Sequence, residues 1–305
     1  MSAKEQGTVK RWGCRFAAGV FFLAGALAHA QDEPYFVTYS HELEDAGTLG
    51  IETKAAVGKP EGGNQYGAST FELEYGVLSR WQTELYLDGQ ATGQDSAVFT
   101  GFRFENRIRP LLRNLPVNPA IEIEYENLTG ADKTMIDVVG HDDDDDLVPP
   151  NRSLSMMHQH ELELRLILGS NWRNWNISEN FISEKDFGHA PWEFGYAVAV
   201  SRPFRSGSAE KKCIWCVDKL TGGLEAYGGL GDSWQLTMRD TSHYLAPLIG
   251  WQLPRDTRLN FSVGIGNGSP SLDIFYRVGL SVDFDNFGAR FLHLPKSHPP
   301  TTESE

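Results

Sequence analysis

In AIEIEYENL, residues 120–128, Glu122, Glu124 and Glu126 share one side of an extended chain, and Ile121, Ile123 and Tyr125 share the other. The same spacing of ionisable groups recurs along the sequence. Glu72 and Glu74 lie in FELEYGVL, Glu84 follows in the next run, and Arg103, Glu105, Arg107 and Arg109 lie in FRFENRIRP. Glu161, Glu163 and Arg165 lie in HELELRLIL, and Glu225 and Arg277 stand singly. Groups of these types at period two support two kinds of chemistry. They can pair across adjacent strands into ladders that keep each carboxylate ionised. They can also line a water-filled passage whose net acidic wall favours cations or polar neutral solutes over anions.

Other reactive types are sparser. Asp142 to Asp146 follow His141; Asp142, Asp144 and Asp146 could touch a divalent ion, but a calcium cage needs spaced oxygens from a shaped loop, so the plain reading is a solvated loop tip. His158 and His160 share a parity without a third fixed ligand. No metal or cofactor is called for. A hydrolase needs Ser and His on one face, yet Ser242 and His243 are neighbours of opposite parity, as are Ser155 and His158; no enzyme is expected. Cys213 and Cys216, in KKCIWCVD, have neither a second CxxC nor a nearby His to complete a zinc site, so a loop-closing disulfide is the expected role.

The elements that must position these groups are strands. Period-two alternation runs from end to end and the helical period does not. Strands are expected at 47–57, 68–78, 80–90, 96–109, 118–128, 157–168, 172–183, 192–203, 219–230, 241–252, 257–266 and 273–284. Their lengths match the roughly 9–11 residues with which a tilted strand crosses a bilayer. A soluble sandwich would alternate too, but Trp81, Trp172, Trp175, Trp192, Tyr196, Tyr227, Tyr244 and Trp251 fall near strand ends, as in the aromatic girdles of membrane barrels. The expected fold is therefore all-β: a transmembrane antiparallel barrel of about twelve strands, with an even strand number and both termini periplasmic. Periplasmic connections are expected at Ser79, 110–117, 169–171, 204–218 and 254–257, three of them tight and the one at 204–218, which holds Cys213 and Cys216, long against the pattern; the longest loop, 129–156, is expected on the other side. A charged group facing mid-bilayer costs roughly 2–4 kcal/mol for Arg or Lys and less for Glu. All the glutamates and arginines named above are therefore assigned to the lumen.

The ends frame the barrel. Lys10, Arg11 and Arg15 precede an apolar run from Phe16 to Leu27, and Ala28-His29-Ala30 has the form of a cleavage site, so residues 1–30 read as a signal peptide. No second long apolar run follows, which excludes a helical membrane protein. Residues 31–46 read as a segment at the periplasmic mouth or tucked into the lumen, 47–284 as the barrel, and 285–305 as a polar tail. A net charge of −14 argues against nucleic-acid binding.

SRWQTELYLDG, FRFENRIRPL, NISENFISEKDFGHAPWEFGYAVAVSRP and SHYLAPLIGWQLPRDTRLNFSVGIGNGSPSLDIFYRVGLSVDF together resemble the exported proteobacterial barrels grouped as meta-pathway phenol-degradation proteins. The resemblance spans most of residues 45–284 and implies an outer-membrane channel for small solutes, with aromatic or hydrophobic compounds as cargo; it brings no catalytic residues. Such a barrel would contact outer-membrane lipid, lipopolysaccharide and the barrel-assembly machinery. A non-conducting scaffold or a lipid-interacting enzyme is the alternative. In one respect the chain departs from the pattern, since 21 residues follow Phe284 where a barrel ordinarily ends on its last aromatic residue.

Overall fold

The computed structural model describes residues 34–111, 113–134, 139–140, 147–204, 216–267 and 272–291. Twelve antiparallel strands alternate inward and outward side chains: β1 Leu49–Gly58, β2 Tyr66–Leu78, β3 Trp81–Thr92, β4 Ala97–Ile108, β5 Asn118–Thr129, β6 His158–Trp172, β7 Trp175–Asp186, β8 Glu193–Pro203, β9 Leu220–Asp232, β10 His243–Leu253, β11 Thr257–Gly266 and β12 Ile274–Phe284. Each strand pairs with its neighbours in sequence, and β12 returns to β1, with Leu49 opposite Phe284 and Gly58 opposite Phe275. The sheet is closed, so no edge is left for backbone groups to go unpaired in a bilayer.

One parity of every strand is apolar and exposed. On β5, Ile121 is 46% and Ile123 42% exposed, whereas Glu122 is 1% exposed. Phe71, Leu85, Phe104, Leu166, Phe261 and Leu280 continue the outer band on other strands. In water so large an apolar surface would aggregate; against hydrocarbon it is the stable face. Glu179 is an exception, standing exposed on β7 between Ile177 and Phe181.

One end of the barrel carries tight turns. Residues 79–80 join β2 to β3, Arg173 and Asn174 join β6 to β7, and 254–256 join β10 to β11. Arg173 and Asn174 both have positive φ, 49° and 66°, the backbone that matches a two-residue turn to strand twist. The opposite end carries the longest connection, 130–157, which includes the short helix α1 Asn151–Leu154. After β12 the chain forms helix α2, Phe287–Phe291.

Two expectations are corrected. The turn expected at 169–171 falls at 173–174, and Gly169 stays within β6. A Cβ there would lie 2.1 Å from the His41 imidazole, so glycine at 169 makes room for the N-terminal segment instead of bending the chain. Tyr227 and Tyr244, assigned to the aromatic girdle, point into the lumen and are 0% and 4% exposed. They fall on the inward parity of β9 and β10 and pack with Tyr66 and Phe275 in one buried cluster. Trp81, Trp172 and Trp192 remain exposed on the outside.

Candidate solute pathway

Residues 34–46 form no strand and enter the lumen, where wall side chains take up their backbone groups. The Glu225 carboxylate accepts the backbone N–H of Phe36, Val37 and Thr38 at 3.2, 3.0 and 2.9 Å. Asn180 clasps Tyr39 on both sides, accepting from its N–H at 2.7 Å and donating to its carbonyl at 2.9 Å. Arg165 donates to the Val37 carbonyl at 2.9 Å. The Tyr35 hydroxyl reaches Asn176 and Ser201 at 2.9 and 3.0 Å. These contacts answer the requirement that a buried backbone find partners.

Tyr39 lies inside the lumen and borders the cavities on both of its sides. Its ring lies between the guanidinium groups of Arg107 and Arg165, at 4.1 and 4.3 Å from the ring centroid, and its hydroxyl meets that of Tyr86 at 3.3 Å. Flat guanidinium groups stack on aromatic faces in this way. Further along the segment, His41 is buried against Gly169. Burial, reinforced by the positive charge of Arg109, lowers its imidazole to about 4.

Register places the charges of β1 to β6 in contact. Arg103 stands opposite Glu126, Glu105 opposite Glu124, and Arg107 opposite Glu122. Arg103 donates to Asp88 at 2.9 Å and lies 3.3 Å from Glu124. Arg107 meets Glu105 at 2.8 Å and Glu84 at 3.0 Å, with Glu122 at 4.0 Å. Arg165 meets Glu163 at 2.8 Å and Glu122 at 3.5 Å. Lys54 joins Glu72 at 2.8 Å and Glu52 at 3.3 Å. Two triplets of carboxylates have oxygens within 4.8 Å of one another, Glu105, Glu122 and Glu124, and Glu126, Glu163 and Glu184. Arg103, Arg107 and Arg165 interleave with the first triplet and supply counter-charge to it.

Glu72, Glu84, Arg103, Glu105, Arg107, Glu122, Glu124, Glu126, Glu163, Arg165, Glu225 and Arg277 are thus buried side chains of the lumen. Glu74 and Glu161 are half-buried. Arg109 lies beyond the end of β4, where it donates to Asn114 at 2.7 Å and stands at the mouth. Cys216 is disulfide-bonded, while Cys213 and Asp142, Asp144 and Asp146 lie outside the described residues. Sequence reasoning missed Lys54, Asp88, Gln82 and Asn180, although each shares the inward parity of its strand, and it missed Tyr39, whose segment carries no period.

The segment divides the lumen. Toward the tight turns lies a cavity of about 340 Å³ bordered by Tyr39, Glu44, Glu52, Glu74 and Asp283, among others. Burial first, then the carboxylates of Asp256 and Asp45, push Asp285 at this mouth above the ordinary aspartate range. Beyond Tyr39 a pocket of about 20 Å³ remains, bordered by Lys54, Arg103 and Arg277. Further toward the long loops, Val139 and Leu272 pack onto the aromatic cluster of Tyr66, Tyr227, Tyr244 and Phe275.

No known protein-family profile matches the chain, and no curated protein sequence does. Among solved structures it is similar to an outer-membrane channel from Pseudomonas putida F1, at 11% identity over 80% of this chain and 98% of that one, with a TM-score of 0.48. It is similar to the KdgM porin, in complex with disordered oligogalacturonate, at 7% identity over 78% and 99%, with a TM-score of 0.44. It is also similar to outer membrane phospholipase A from Escherichia coli, at 10% identity over 82% and 99%, with a TM-score of 0.38. At these identities and scores the functional reading of this chain rests on its own residues.

Proposed function

We propose that the protein is an outer-membrane channel for passive passage of small solutes, held closed by residues 34–46. The observation that carries this reading is the way the segment is fixed. It blocks the lumen through side-chain hydrogen bonds and ring stacking, without joining the sheet, so it can leave while the barrel stays intact. With it displaced, the path runs along a wall with more carboxylates than cations, which favours small cations and polar neutral solutes. The short turns face the periplasm, the long loops face lipopolysaccharide, and the signal peptide and assembly machinery deliver the chain there. Catalysis is not part of this reading.

Small aromatic compounds form a second solute class. The cluster of Tyr66, Tyr227, Tyr244 and Phe275 toward the long loops supports them, as does the resemblance in sequence. Planar-bilayer recording tests the proposal. The full mature chain is expected to be mostly silent, and a variant lacking residues 34–46 to give discrete steps with a cation-selective reversal potential. A silent deletion variant would leave the scaffold or lipid-interacting enzyme, and an anion-selective one would overturn the assignment of the wall.

A further inference from the structure

Arg277 differs from every other buried arginine of the lumen. Arg103, Arg107 and Arg165 each donate to a carboxylate at 2.8 or 2.9 Å. Arg277 is 6% exposed, yet its Nη1 and Nη2 are buried with no hydrogen-bond partner among the described residues. Its flat faces are occupied, with Cζ 4.8 Å from the Phe275 ring and 5.4 Å from the Tyr227 ring. Ring faces attract the charge, but they accept nothing from N–H groups that lie in the guanidinium plane. An unpaired buried charge costs several kcal/mol, so a structure that keeps one needs a compensating group.

Space for that group exists. Arg277 stands opposite Ala56, which stands opposite Ala68, and the two small side chains leave the pocket of about 20 Å³ beside the guanidinium. That volume holds about one particle the size of a water molecule. The pocket is bordered by three cations, Lys54, Arg103 and Arg277, and by no carboxylate. Lys54 and Arg103 are already paired with carboxylates on their other sides. The hydroxyls of Tyr66 and Tyr227, in the neighbouring aromatic cluster and outside the pocket wall, are also buried with no partner among the described residues. An arginine whose donors have no acceptor, beside a space of about 20 Å³, describes a site for a single compact acceptor.

We infer that this pocket is a binding site for a monatomic anion, chloride under ordinary conditions, coordinated by the Arg277 guanidinium. A water molecule would accept one or two of the N–H groups but would leave the charge uncompensated; a halide does both. Phe36 and Tyr39 of the N-terminal segment form part of the pocket wall, so the ion and the seated segment stabilise one another. The site holds whether or not the barrel conducts, because it depends only on the closed arrangement.

The test uses the full chain in detergent and in crystals grown with bromide. An anomalous peak beside Arg277 is expected, and it should vanish in Arg277→Met. In solution, replacing chloride by isethionate at constant ionic strength should lower the wild-type Tm by several degrees and leave that of Arg277→Met unmoved. Heat-dependent gel mobility shows that the variant is folded. An empty or water-filled pocket in bromide crystals would overturn the inference, as would a chloride-dependent shift that persists in Arg277→Met. Halide binding by a chain that never conducts would leave this site standing and remove only the channel reading.

Discussion

Strands β1 to β6 and strands β7 to β12 enclose one lumen with two chemistries. The first half buries eight carboxylates and three arginines, from Glu72 to Arg165, joined in ladders of ion pairs. Among the described residues of the second half, the buried charged side chains are Glu225 and Arg277; its other buried inward groups are neutral, among them Asn176, Ser178, Asn180, Ser201, Asn260, Ser262 and Ser281, and Glu184 and Asp283 are half-buried nearer the ends. The difference shows where stability resides. In the charged half each group is needed because its partner is already desolvated, and in the neutral half few groups depend on any other. Arg107→Leu offers the strongest test, since it strips counter-charge from Glu84, Glu105 and Glu122 at once. We expect a loss of roughly 3–5 kcal/mol in urea unfolding. A loss below about 1 kcal/mol would mean the carboxylates are protonated and the halves are not energetically distinct.

The N-terminal segment engages each half in its own manner. On the charged side it is gripped by stacking between Arg107 and Arg165, and on the neutral side by the buried carboxylate of Glu225. Hydrogen bonds to a charged group contribute roughly 1.5–3 kcal/mol. Glu225→Ala should therefore release the segment, seen as protease cleavage near Tyr39 and as frequent channel openings. Unchanged cleavage and openings would show that the charged half alone holds the segment.

Much of this contrast was legible in the sequence. The strands followed from alternation, and the inward glutamates and arginines followed from the cost of placing them against lipid. Parity alone could not say that Tyr227 and Tyr244 turn inward to make a core, because an aromatic residue near a strand end suits either face. Gly169 read as a turn residue because its role is set by His41, more than a hundred positions away in sequence. Tyr39 carried no signal at all: a segment without period gains its place only from the side chains that surround it. The unpaired state of Arg277 was equally hidden, since it depends on which residues stand across the lumen.

A pH titration separates the segment from the wall. The folded state lowers the His41 pKa to about 4, against about 6.5 in an unfolded chain. A depressed pKa gives stability that is complete above the unfolded value and is lost as pH falls through the folded one. Between about pH 6.5 and 4 the segment should therefore loosen, with openings becoming more frequent. His41→Phe, which cannot titrate, should flatten the dependence in that window. A dependence that survives this substitution would place the titrating group in the carboxylate ladder.

The finest distinction compares two hydroxyls. Thr70, in the charged half, donates to the Asp88 carboxylate at 2.6 Å, and Ser178, in the neutral half, donates to the Asn176 amide oxygen at 3.3 Å. Both are buried, and in both the hydroxyl that donates this bond is removed by the substitutions below. A bond to a charged acceptor contributes about 1.5–3 kcal/mol and one to a neutral acceptor about 0.5–1.5 kcal/mol, less when long. Thr70→Val should thus cost more than Ser178→Ala, and the latter should fall near the low end of its range. Asp88 also pairs with Arg103, so part of the Thr70 effect reaches the ladder, and a double variant with Arg103→Met should be non-additive. Ser178→Ala combined with the same Arg103→Met should be additive, since the hydrogen bond of Ser178 runs to Asn176 and not to the ladder. Coupling in the second pair would mean that the neutral wall supports the charged one, and the two halves would have to be treated as a single network.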